Sequence, residues 1–487
     1  MLELNNPALL RTQSYINGQW IDADSGNTFD VTDPATGKVV ASVANLGAEE
    51  TRRAIEAANA AWPAWAATPV KERAKLLRRW YNLIIDNTED LAKILTAEQG
   101  KPLSESRTEI VYGANYIEWF AEEAKRAYGD VIAPPANDRR IVVIKQPVGV
   151  TCSITPWNFP NAMIARKVAP ALAAGCPFIA KPAHETPLSA LALAVLAEEA
   201  GIPSGIFNIV AGESAKDIGI EMTRNPLVRK FTFTGSTGVG KQLQAQCAET
   251  MKKTSMELGG NAPFIVFDDA DLDEAVKGAI ICKYRNAGQT CVCANRIFVQ
   301  AGVYEAFTEK FIQAVNKLTM GNGFTDGTDI GPMITVKAVQ KVESLVEDAL
   351  QKGAKTLVAG GPASMGEQFY APMVLGDANE KMQLFKEEIF GPVAPLFKFS
   401  TEEEVIRMAN DTEFGLASYF YSRDIGRICR VSEALEYGMV GVNEGIISNE
   451  MAPFGGVKAS GQGREGSKYG IEDYLEIKYL CLGGIDQ

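Results

Sequence analysis

A cysteine among small residues is the first candidate for chemistry in this chain. Cys291 follows Gly288 within the run N-A-G-Q-T-C-V-C-A-N-R, residues 286–296, whose composition suits a turn better than a helix or strand. A deprotonated thiol is the most nucleophilic side chain near neutral pH, and a nearby glycine lets the backbone approach a substrate. A buried cysteine that only fills space is the alternative. The other motifs decide between these two interpretations.

Two further motifs supply polar groups that a thiol nucleophile needs. Asn158 lies in the run T-P-W-N-F-P, residues 155–160, where two prolines hold its amide in place as a hydrogen-bond donor. Glu257 has apolar residues and glycines around it, and desolvation there should raise the pKa of its carboxyl toward that of a useful base. The alternatives are a capping asparagine in a rigid turn and a solvated glutamate.

The run F-T-G-S-T-G-V-G-K, residues 233–241, joins a predicted strand to a predicted helix. Its glycines leave backbone N–H groups and a helix N-terminus free for an anion, so we expect a phosphorylated ligand. The spacing nearly matches the loop of nucleoside triphosphatases, which are the alternative class, but Gln242 replaces the hydroxyl residue that would bind magnesium. A formal G-x-G-x-x-G match at residues 461–466 has no strand before it, and we interpret it as accidental.

Composition and charge exclude several other classes of protein. The 487 residues are 46% hydrophobic and 22% charged, enough for two or three domains. A net charge of −12 without a local Lys/Arg run argues against nucleic acid as a partner, and the apolar runs are too short for a membrane. Eight cysteines without framework spacing predict a cytoplasmic protein, and the single histidine, His184, leaves no metal site of the Cys/His kind.

The elements that position these residues follow from the hydrophobic patterns. Residues 48–120 predict helices, the first of which ends at Pro63. Apolar strands then alternate with helices, which predicts an α/β fold with a parallel sheet covered on both faces. Because such folds bind ligands beyond the carboxyl ends of their strands, functional residues should directly follow strands. The strands are predicted at residues 150–154, 178–181, 207–210, 230–234 and 263–267.

Together, these motifs resemble those of the aldehyde dehydrogenase superfamily. The runs T-P-W-N-F-P, K-P-A-x-x-T-P, F-T-G-S-T, E-L-G-G-N-A, G-Q-x-C and E-E-I-F-G-P occur in that family's order and spacing over nearly the whole chain. Residues 283–296 and 445–450 are similar to its succinate-semialdehyde branch. The resemblance implies a Rossmann-like coenzyme-binding domain (1–127 and 148–257), a second α/β catalytic domain (258–459) and a β oligomerisation arm (128–147 and 460–487). It also implies a homodimer or homotetramer.

The resemblance assigns the steps of a reaction. Cys291 attacks the aldehyde as a thiolate, the Asn158 amide and the Cys291 backbone N–H hold the oxyanion, and hydride passes to the nicotinamide. Glu257 then activates water to hydrolyse the thioester, which implies a free acid as product because branches that use coenzyme A typically lack this glutamate. The substrate is a small semialdehyde such as succinate semialdehyde; glutarate and 2-oxoglutarate semialdehyde stay open. Its carboxylate would bind Arg166, Arg285 and Ser448.

The same resemblance places a nicotinamide coenzyme along the carboxyl edge of the first sheet. NAD-preferring members mostly carry Glu at the position of His184, where it repels a 2′-phosphate. His184 therefore favours NADP; NAD stays possible, and Glu185 would restore some repulsion. The expected coenzyme contacts are the pyrophosphate near Ser236, the adenosine ribose near Lys181, the nicotinamide ribose on Glu388 beside Phe390, and Ile154, Thr155, Pro156, Trp157, Gly212, Gly235, Val239 and Leu258 along the channel.

A second cysteine lies two residues beyond the proposed nucleophile. A disulfide between Cys291 and Cys293 would inactivate the enzyme reversibly, which is a hypothesis of redox control. The alternative is that Cys293 is a small buried side chain. An inactive scaffold of the same fold is disfavoured, because nucleophile, base and oxyanion donor are all present.

Overall fold

The computed structural model describes residues 2–485. The α-helices are α1 Ala48–Ala67, α2 Val70–Asp86, α3 Thr88–Gln99, α4 Leu103–Glu123, α5 Ala162–Ala174, α6 Leu188–Ala200, α7 Ala215–Arg224, α8 Thr237–Ala248, α9 Leu272–Tyr284, α10 Tyr304–Val315, α11 Val336–Gln351, α12 Gln383–Lys386, α13 Glu402–Asn410 and α14 Ile425–Ala434. The strands are β1 Ser14–Ile16, β2 Gln19–Ile21, β3 Thr28–Thr32, β4 Val39–Ala44, β5 Asp130–Ile132, β6 Arg139–Pro147, β7 Val150–Ile154, β8 Phe178–Lys181, β9 Phe207–Ile209, β10 Val228–Thr234, β11 Lys253–Glu257, β12 Ala262–Val266, β13 Ala294–Gln300, β14 Lys355–Val358, β15 Gly361–Pro362, β16 Tyr370–Ala371, β17 Met373–Gly376, β18 Val393–Phe399, β19 Ala417–Tyr421, β20 Met439–Val442, β21 Gly461–Gln462 and β22 Leu475–Gly483.

The first large sheet has the strand order β2-β1-β9-β8-β7-β10-β11-β21. Strands β7 to β11 are parallel, and β1 and β21 pair with them antiparallel. The chain runs outward from β7 to β9 and then returns to place β10 on the other side of β7. This reversal opens a crevice at the carboxyl ends of β7 and β10, the place where α/β folds bind ligands. The predicted alternation of strands and helices is confirmed.

The second large sheet has the order β14-β17-β18-β13-β12-β19-β20 and is parallel except for β14. Aromatic side chains fill its core, with Phe298 and Phe385 packed on the Phe397 ring at 5.2 and 5.4 Å between ring centroids. Only residues 258–261 separate β11 from β12. The chain therefore passes directly from the carboxyl edge of the first sheet to the amino edge of the second.

The first helix does not end where the sequence pattern predicted. Helix α1 continues through Pro63 to Ala67. Proline removes one backbone donor from the helix, which costs stability but does not forbid another turn. Trp65 lies in that last turn and is 2% exposed, so burial of its ring stabilises the segment that the proline weakens.

A third, antiparallel sheet has the order β22-β6-β5. Its register runs from Leu475 opposite Pro147 to Gly483 opposite Arg139. Both parts of the predicted arm contribute to this sheet, although β21 at the start of residues 460–487 joins the first sheet instead. Val131 is 81% exposed and Ile477 73%, so this sheet presents apolar side chains to solvent. Within residues 2–485, none of the helices combines the length and apolar composition needed to cross a bilayer.

Candidate active site

The candidate residues come together where the two large sheets meet. Asn158 follows β7 and Glu257 ends β11, both at the carboxyl edge of the first sheet, as the fold rule predicted. Cys291 and Glu388 instead precede β13 and β18, so the expectation that functional residues follow strands is wrong for the second sheet. The reason is the short connection from β11 to β12, which places the amino edge of the second sheet against the carboxyl edge of the first.

A cavity of about 420 Å³ opens in front of Cys291. All three residues predicted to bind the substrate carboxylate contribute to its wall, namely Arg166, Arg285 and Ser448. Apolar side chains such as Phe159 and Ile446 form much of the remaining surface. The cavity thus joins a sulfur nucleophile to cationic and hydroxyl groups in a largely apolar enclosure, whose wall also contains the acidic side chains of Glu105, Glu109 and Asp329.

The loop before Cys291 has an unusual backbone. Asn286, Ala287 and Gly288 all have positive φ, at 51°, 56° and 74°. The Asn286 backbone N–H donates to the Glu105 carboxylate, at 2.9 Å from Oε2. A side chain at Gly288 would place its Cβ 2.3 Å from the Gly391 carbonyl oxygen, so only glycine fits there. Contacts from outside the loop therefore hold the turn that presents Cys291.

The Cys291 thiol keeps its proton in this arrangement. Burial raises the pKa of Cys291 to about 12, and the carboxylates of Glu388 and Glu257 act in the same direction, whereas Arg166 opposes them. The thiolate expected from the sequence is therefore not the resting form of the side chain. Its proton has to leave when an aldehyde is attacked.

The Asn158 amide is fixed beside the cysteine loop. Its Nδ2 donates to the Gln289 carbonyl oxygen at 3.0 Å, which leaves one of its two N–H groups for another acceptor. Gln289 is itself held, because the Ile334 backbone N–H donates to its Oε1 at 2.9 Å. The amide is therefore oriented before any substrate binds, as an oxyanion donor requires.

Glu257 lies in the apolar environment that the sequence predicted. It is 3% exposed, and neither carboxyl oxygen has a hydrogen-bond partner among the described residues. Burial raises its pKa well above the usual range, and the neighbouring Glu465 carboxylate adds to the rise. Glu465 stays ionised because Arg166 and Lys167 contact it and lower its pKa against the effect of burial. A carboxyl of this kind is suited to take up a proton.

The two predicted substrate arginines are in different states. Arg166 is buried, paired with Glu465, and lies 4.0 Å from the centroid of the Phe454 ring. Arg285 faces the Phe159 ring at 5.4 Å and makes no ion pair with any residue in the described part of the chain. Arg285 can therefore bind an anion in the cavity without breaking an ion pair, although the Glu105 carboxyl lies near it on the same wall, whereas Arg166 would have to share its charge with Glu465.

Several of the predicted coenzyme residues lie at the carboxyl edge of the first sheet. Lys181 ends β8, is 2% exposed, and donates to the Pro182 carbonyl oxygen at 3.0 Å; burial lowers its pKa to about 8. Ser236 is the N-cap of α8, and its hydroxyl does not cap the helix. Val239 in the first turn is 46% exposed. The remaining predicted contacts at this edge are Ile154 at the end of β7, Thr155 and Pro156 directly after it, and Gly235 before α8.

His184 lies in the turn after β8. Half of its side chain is exposed, and Nδ1 is 3.3 Å from the Glu185 carboxylate. A 2′-phosphate at this place would meet an imidazole and, beside it, the negative charge of Glu185. The two neighbours would therefore have opposite effects on such a phosphate.

Glu388 and an aromatic pair close the other end of the crevice. The Trp157 and Phe390 rings meet edge to face at 5.6 Å, and Phe390 adopts a positive φ of 55°. Glu388 accepts a hydrogen bond from the Gly260 backbone N–H at 3.1 Å, and burial raises the pKa of its carboxyl to about 7. The sequence predicted that one turn carries both Glu388 and an aromatic ring, and in the structure Glu388 and Phe390 lie in the segment between α12 and β18.

Two other residues predicted to bind coenzyme have close structural contacts of their own. Leu258 packs so tightly on α8 that a Cβ at Gly240 would lie 2.3 Å from its Cδ2. Gly212 lies against the Leu46 backbone, where a Cβ would be 2.2 Å from the carbonyl oxygen. Packing alone can therefore account for the presence of Leu258 and Gly212 at these positions, without a contact to coenzyme.

Several residues around the site escaped the sequence-based interpretation. They are Lys101, Glu105 and Glu109 from the α3–α4 region, together with Asn286 and Gln289 of the cysteine loop. Glu465 lies within the G-x-G-x-x-G match that was interpreted as accidental, and it belongs to the active site without being part of a nucleotide fingerprint. The E-Q-G-K-P run at residues 98–102 was the available signal, because it places two charged residues beside a glycine and a proline between two predicted helical segments.

Cys293 is buried, and its thiol donates to the Lys283 carbonyl oxygen at 3.4 Å. Unlike Cys291, it does not line the cavity. The disulfide between them stays a hypothesis.

Comparison with known proteins gives a consistent result. The sequence profile of the "Aldehyde dehydrogenase family" matches residues 20–480. A glutarate-semialdehyde dehydrogenase of Pseudomonas aeruginosa is 62% identical over 99% of this chain and 100% of its own. A succinate-semialdehyde dehydrogenase [NADP(+)] of Escherichia coli is 61% identical with the same coverage. The crystal structure of succinate-semialdehyde dehydrogenase from Burkholderia pseudomallei superposes with a TM-score of 0.97, at 61% identity and 99% coverage of both chains.

Proposed function

The chain belongs to the aldehyde dehydrogenase family, and from this premise we propose that it oxidises succinate semialdehyde, or a similar ω-carboxy aldehyde, to the dicarboxylic acid. Oxidation of an aldehyde with a nicotinamide coenzyme follows from the family. The choice of substrate rests on one observation, the unpaired Arg285 guanidinium in the same cavity as Cys291. A planar guanidinium binds a carboxylate in two-point geometry, which an uncharged aldehyde cannot use. Glutarate semialdehyde is the second candidate, since a relative of equal similarity carries that name.

The chain's own residues supply the nucleophile and its supporting charges. Cys291 attacks the aldehyde carbon and forms a thiohemiacetal, and the thiol proton, which a pKa near 12 keeps on the free side chain, leaves to solvent water through the cavity in front of the sulfur. The unused N–H of the Asn158 amide and the Cys291 backbone N–H hold the oxyanion. One donor of this kind is typically worth about 2.7 to 4 kcal/mol of barrier.

Glu257 is the base of the hydrolysis step in this proposal. Its raised pKa makes its carboxylate form a strong enough base to take a proton from the water molecule that attacks the thioester on Cys291. The ionised Glu465 near it opposes the loss of its proton, and Arg166 and Lys167 moderate that effect. The product is a free carboxylic acid.

The crevice of the first sheet fits a dinucleotide. The Ser236 hydroxyl leaves the first turn of α8 uncapped, which suits a pyrophosphate, and Glu388 has one carboxyl oxygen bonded to Gly260 and another to offer a ribose. Lys181 and His184 would hold the adenosine ribose. The bound coenzyme supplies the hydride acceptor. We propose NADP as the preferred form, because His184 carries no negative charge, with NAD also accepted.

The exposed face of the third sheet supports a homo-oligomer. Val131, Ile477 and Tyr479 are each more than 60% exposed on short antiparallel strands, and a second copy of the chain would bury them. All eight cysteines are free, which agrees with the proposed cytoplasmic location.

An Arg285→Ala variant tests the substrate. We expect KM for succinate semialdehyde to rise about 10- to 100-fold, because a hydrogen bond to a charged group is worth roughly 1.5 to 3 kcal/mol. Butanal, which has the same chain length without the carboxylate, should show little change in KM. Arg285→Lys is the matched control, since it keeps the charge but loses the planar fork. Equal losses for both aldehydes would refute the proposed substrate class.

A further inference from the structure

A buried lysine lies behind the oxyanion amide. Lys101 follows the C-terminus of α3 and is 1% exposed. Its Nζ donates to the Glu109 carboxylate at 2.6 Å and to the Asn158 carbonyl oxygen at 2.7 Å, and it faces the Phe159 ring at 3.9 Å. Burying an ammonium group is costly unless such partners compensate it, so its presence here calls for an explanation.

Glu109, the partner of Lys101, extends this contact along the chain. Its other carboxyl oxygen accepts hydrogen bonds from the backbone N–H groups of Asn161, at 3.0 Å, and Ala162, at 3.3 Å. These residues begin helix α5. The ion pair therefore contacts the backbone at Asn158 and again at residues 161–162, and it fixes the run between β7 and α5 from both ends.

The Asn158 carbonyl is also tied to the cysteine loop. Nδ2 of Asn286 donates to the same oxygen at 3.1 Å, while Asn158 Nδ2 donates to the Gln289 carbonyl oxygen at 3.0 Å. Gln99 in turn donates to Asn286 Oδ1 at 3.0 Å. One peptide carbonyl thus joins the lysine to the loop that carries Cys291. A shift of this carbonyl would move the Asn158 amide relative to the sulfur.

We propose that Lys101 is a positioning residue for the reaction, which acts by fixing the Asn158 peptide so that the amide of Asn158 points at the forming oxyanion. The inference rests on the proposed function, in which Asn158 is the oxyanion donor. Lys101 touches neither substrate nor coenzyme in this role. Its effect should appear in the transition state only, because the oxyanion exists only after Cys291 has attacked.

A double-mutant cycle separates positioning from general stabilisation of the fold. The Lys101→Met/Glu109→Gln variant removes the ion pair without leaving a lone buried charge, and the glutamine keeps an acceptor for α5. We expect kcat/KM for succinate semialdehyde to fall about 10- to 100-fold, because a displacement of about 1 Å can cost that much, while the Kd for NADP stays within about twofold. In an Asn158→Ala background the same change should cost less than about threefold.

Lys230→Met is the matched control. Lys230 is also fully buried, and it contacts Ser255 and the Tyr474 ring away from the cavity. This variant should lose thermal stability to a similar extent and keep kcat in both backgrounds. An equal loss of kcat/KM from the Lys101/Glu109 change with and without Asn158 would overturn the positioning role, as would no loss at all.

Two further results keep the interpretation unambiguous. If Asn158→Ala alone retains full kcat, the oxyanion role itself is wrong, and the proposed function fails rather than the inference about Lys101.

If the double variant does not fold, Lys101→Gln replaces it, since its amide still donates to one of the two acceptors. Lys101→Gln should lose kcat in the parent and not in the Asn158→Ala background; equal losses in both would refute the role.

Discussion

The reaction centre and the adenosine end of the coenzyme crevice are built in opposite ways. Cys291, Asn158 and Glu257 are supplied by two sheets, and buried hydrogen bonds hold the first two in place. At the adenosine end, half of the His184 side chain and nearly half of Val239 face solvent. In the proposed function, this difference assigns the reaction itself to buried groups and the choice of coenzyme to a solvated side chain.

Electrostatics follow the same division. In the reaction centre, desolvation raises the pKa of Cys291 and of Glu257, so each charge there depends strongly on its neighbours. At the adenosine end, half of the His184 side chain is exposed, so water screens a charge placed at this position. Substitutions at the centre should therefore change rates by orders of magnitude, and substitutions at the crevice rim by small factors.

The largest effect should come from Cys291→Ala. Without the thiol no thiohemiacetal can form, and we expect kcat to fall by at least about 10⁴-fold. The measurement is the increase in near-ultraviolet absorbance as the coenzyme is reduced. Cys293→Ser is the matched control, because Cys293 is only two residues from Cys291 and does not line the cavity. This variant should keep most of the activity. Substantial turnover by Cys291→Ala would remove the basis of the comparison.

Glu257→Gln should have the next largest effect and a different signature. The thioester should still form, giving a burst of reduced coenzyme of about one per site, followed by a steady state roughly 10²- to 10⁴-fold slower. Because the pKa of Glu257 is raised, the basic form appears only as pH increases, so hydrolysis in the parent should fall with decreasing pH. Rapid-mixing measurements across pH should show that the variant lacks this dependence.

Absence of a burst in Glu257→Gln would show that the carboxylate is needed before the thioester forms. In that case Glu257 also accepts the thiol proton, and the two roles would have to be assigned to the same group.

The smallest effect should come from His184→Glu. A carboxylate beside a 2′-phosphate at this half-exposed place should raise KM for NADP by roughly two- to fivefold, the range of about 0.2 to 1 kcal/mol for exposed charge pairs. KM for NAD should hardly change, and steady-state assays with both coenzymes measure the ratio. His184→Gln, which adds no charge, is the control. If the two variants shift the ratio equally, repulsion is not the cause.

Sequence motifs located the residues of the candidate site far better than the residues packed behind them. The T-P-W-N-F-P run and the thiol loop carry Asn158 and Cys291 in recognisable contexts, and the strand and helix pattern predicted the first sheet. Lys101 gave no comparable signal, because its role depends on a contact across 57 residues of chain with the Asn158 carbonyl. The state of Cys291 was also beyond the pattern, since its pKa depends on burial and on charges brought near by folding.

The wrong expectation about strand ends has a similar origin. A rule derived for one sheet places functional residues after strands, and it holds for Asn158 and Glu257. It fails for Cys291 and Glu388 because the second sheet meets the first at its amino edge, which is a property of how two sheets join. Local patterns contain no information about that join.

The left-handed backbone at residues 286–288 limits how this enzyme can be diversified in the laboratory. β-Branched and bulky side chains resist positive φ, so randomised libraries that include Ala287 would contain many destabilised members. Thr108 and Ile281 line the same cavity from ordinary helical backbone in α4 and α9, and both are exposed. Directed evolution toward longer or bulkier aldehydes should therefore begin at these two helical positions and leave the turn before Cys291 untouched.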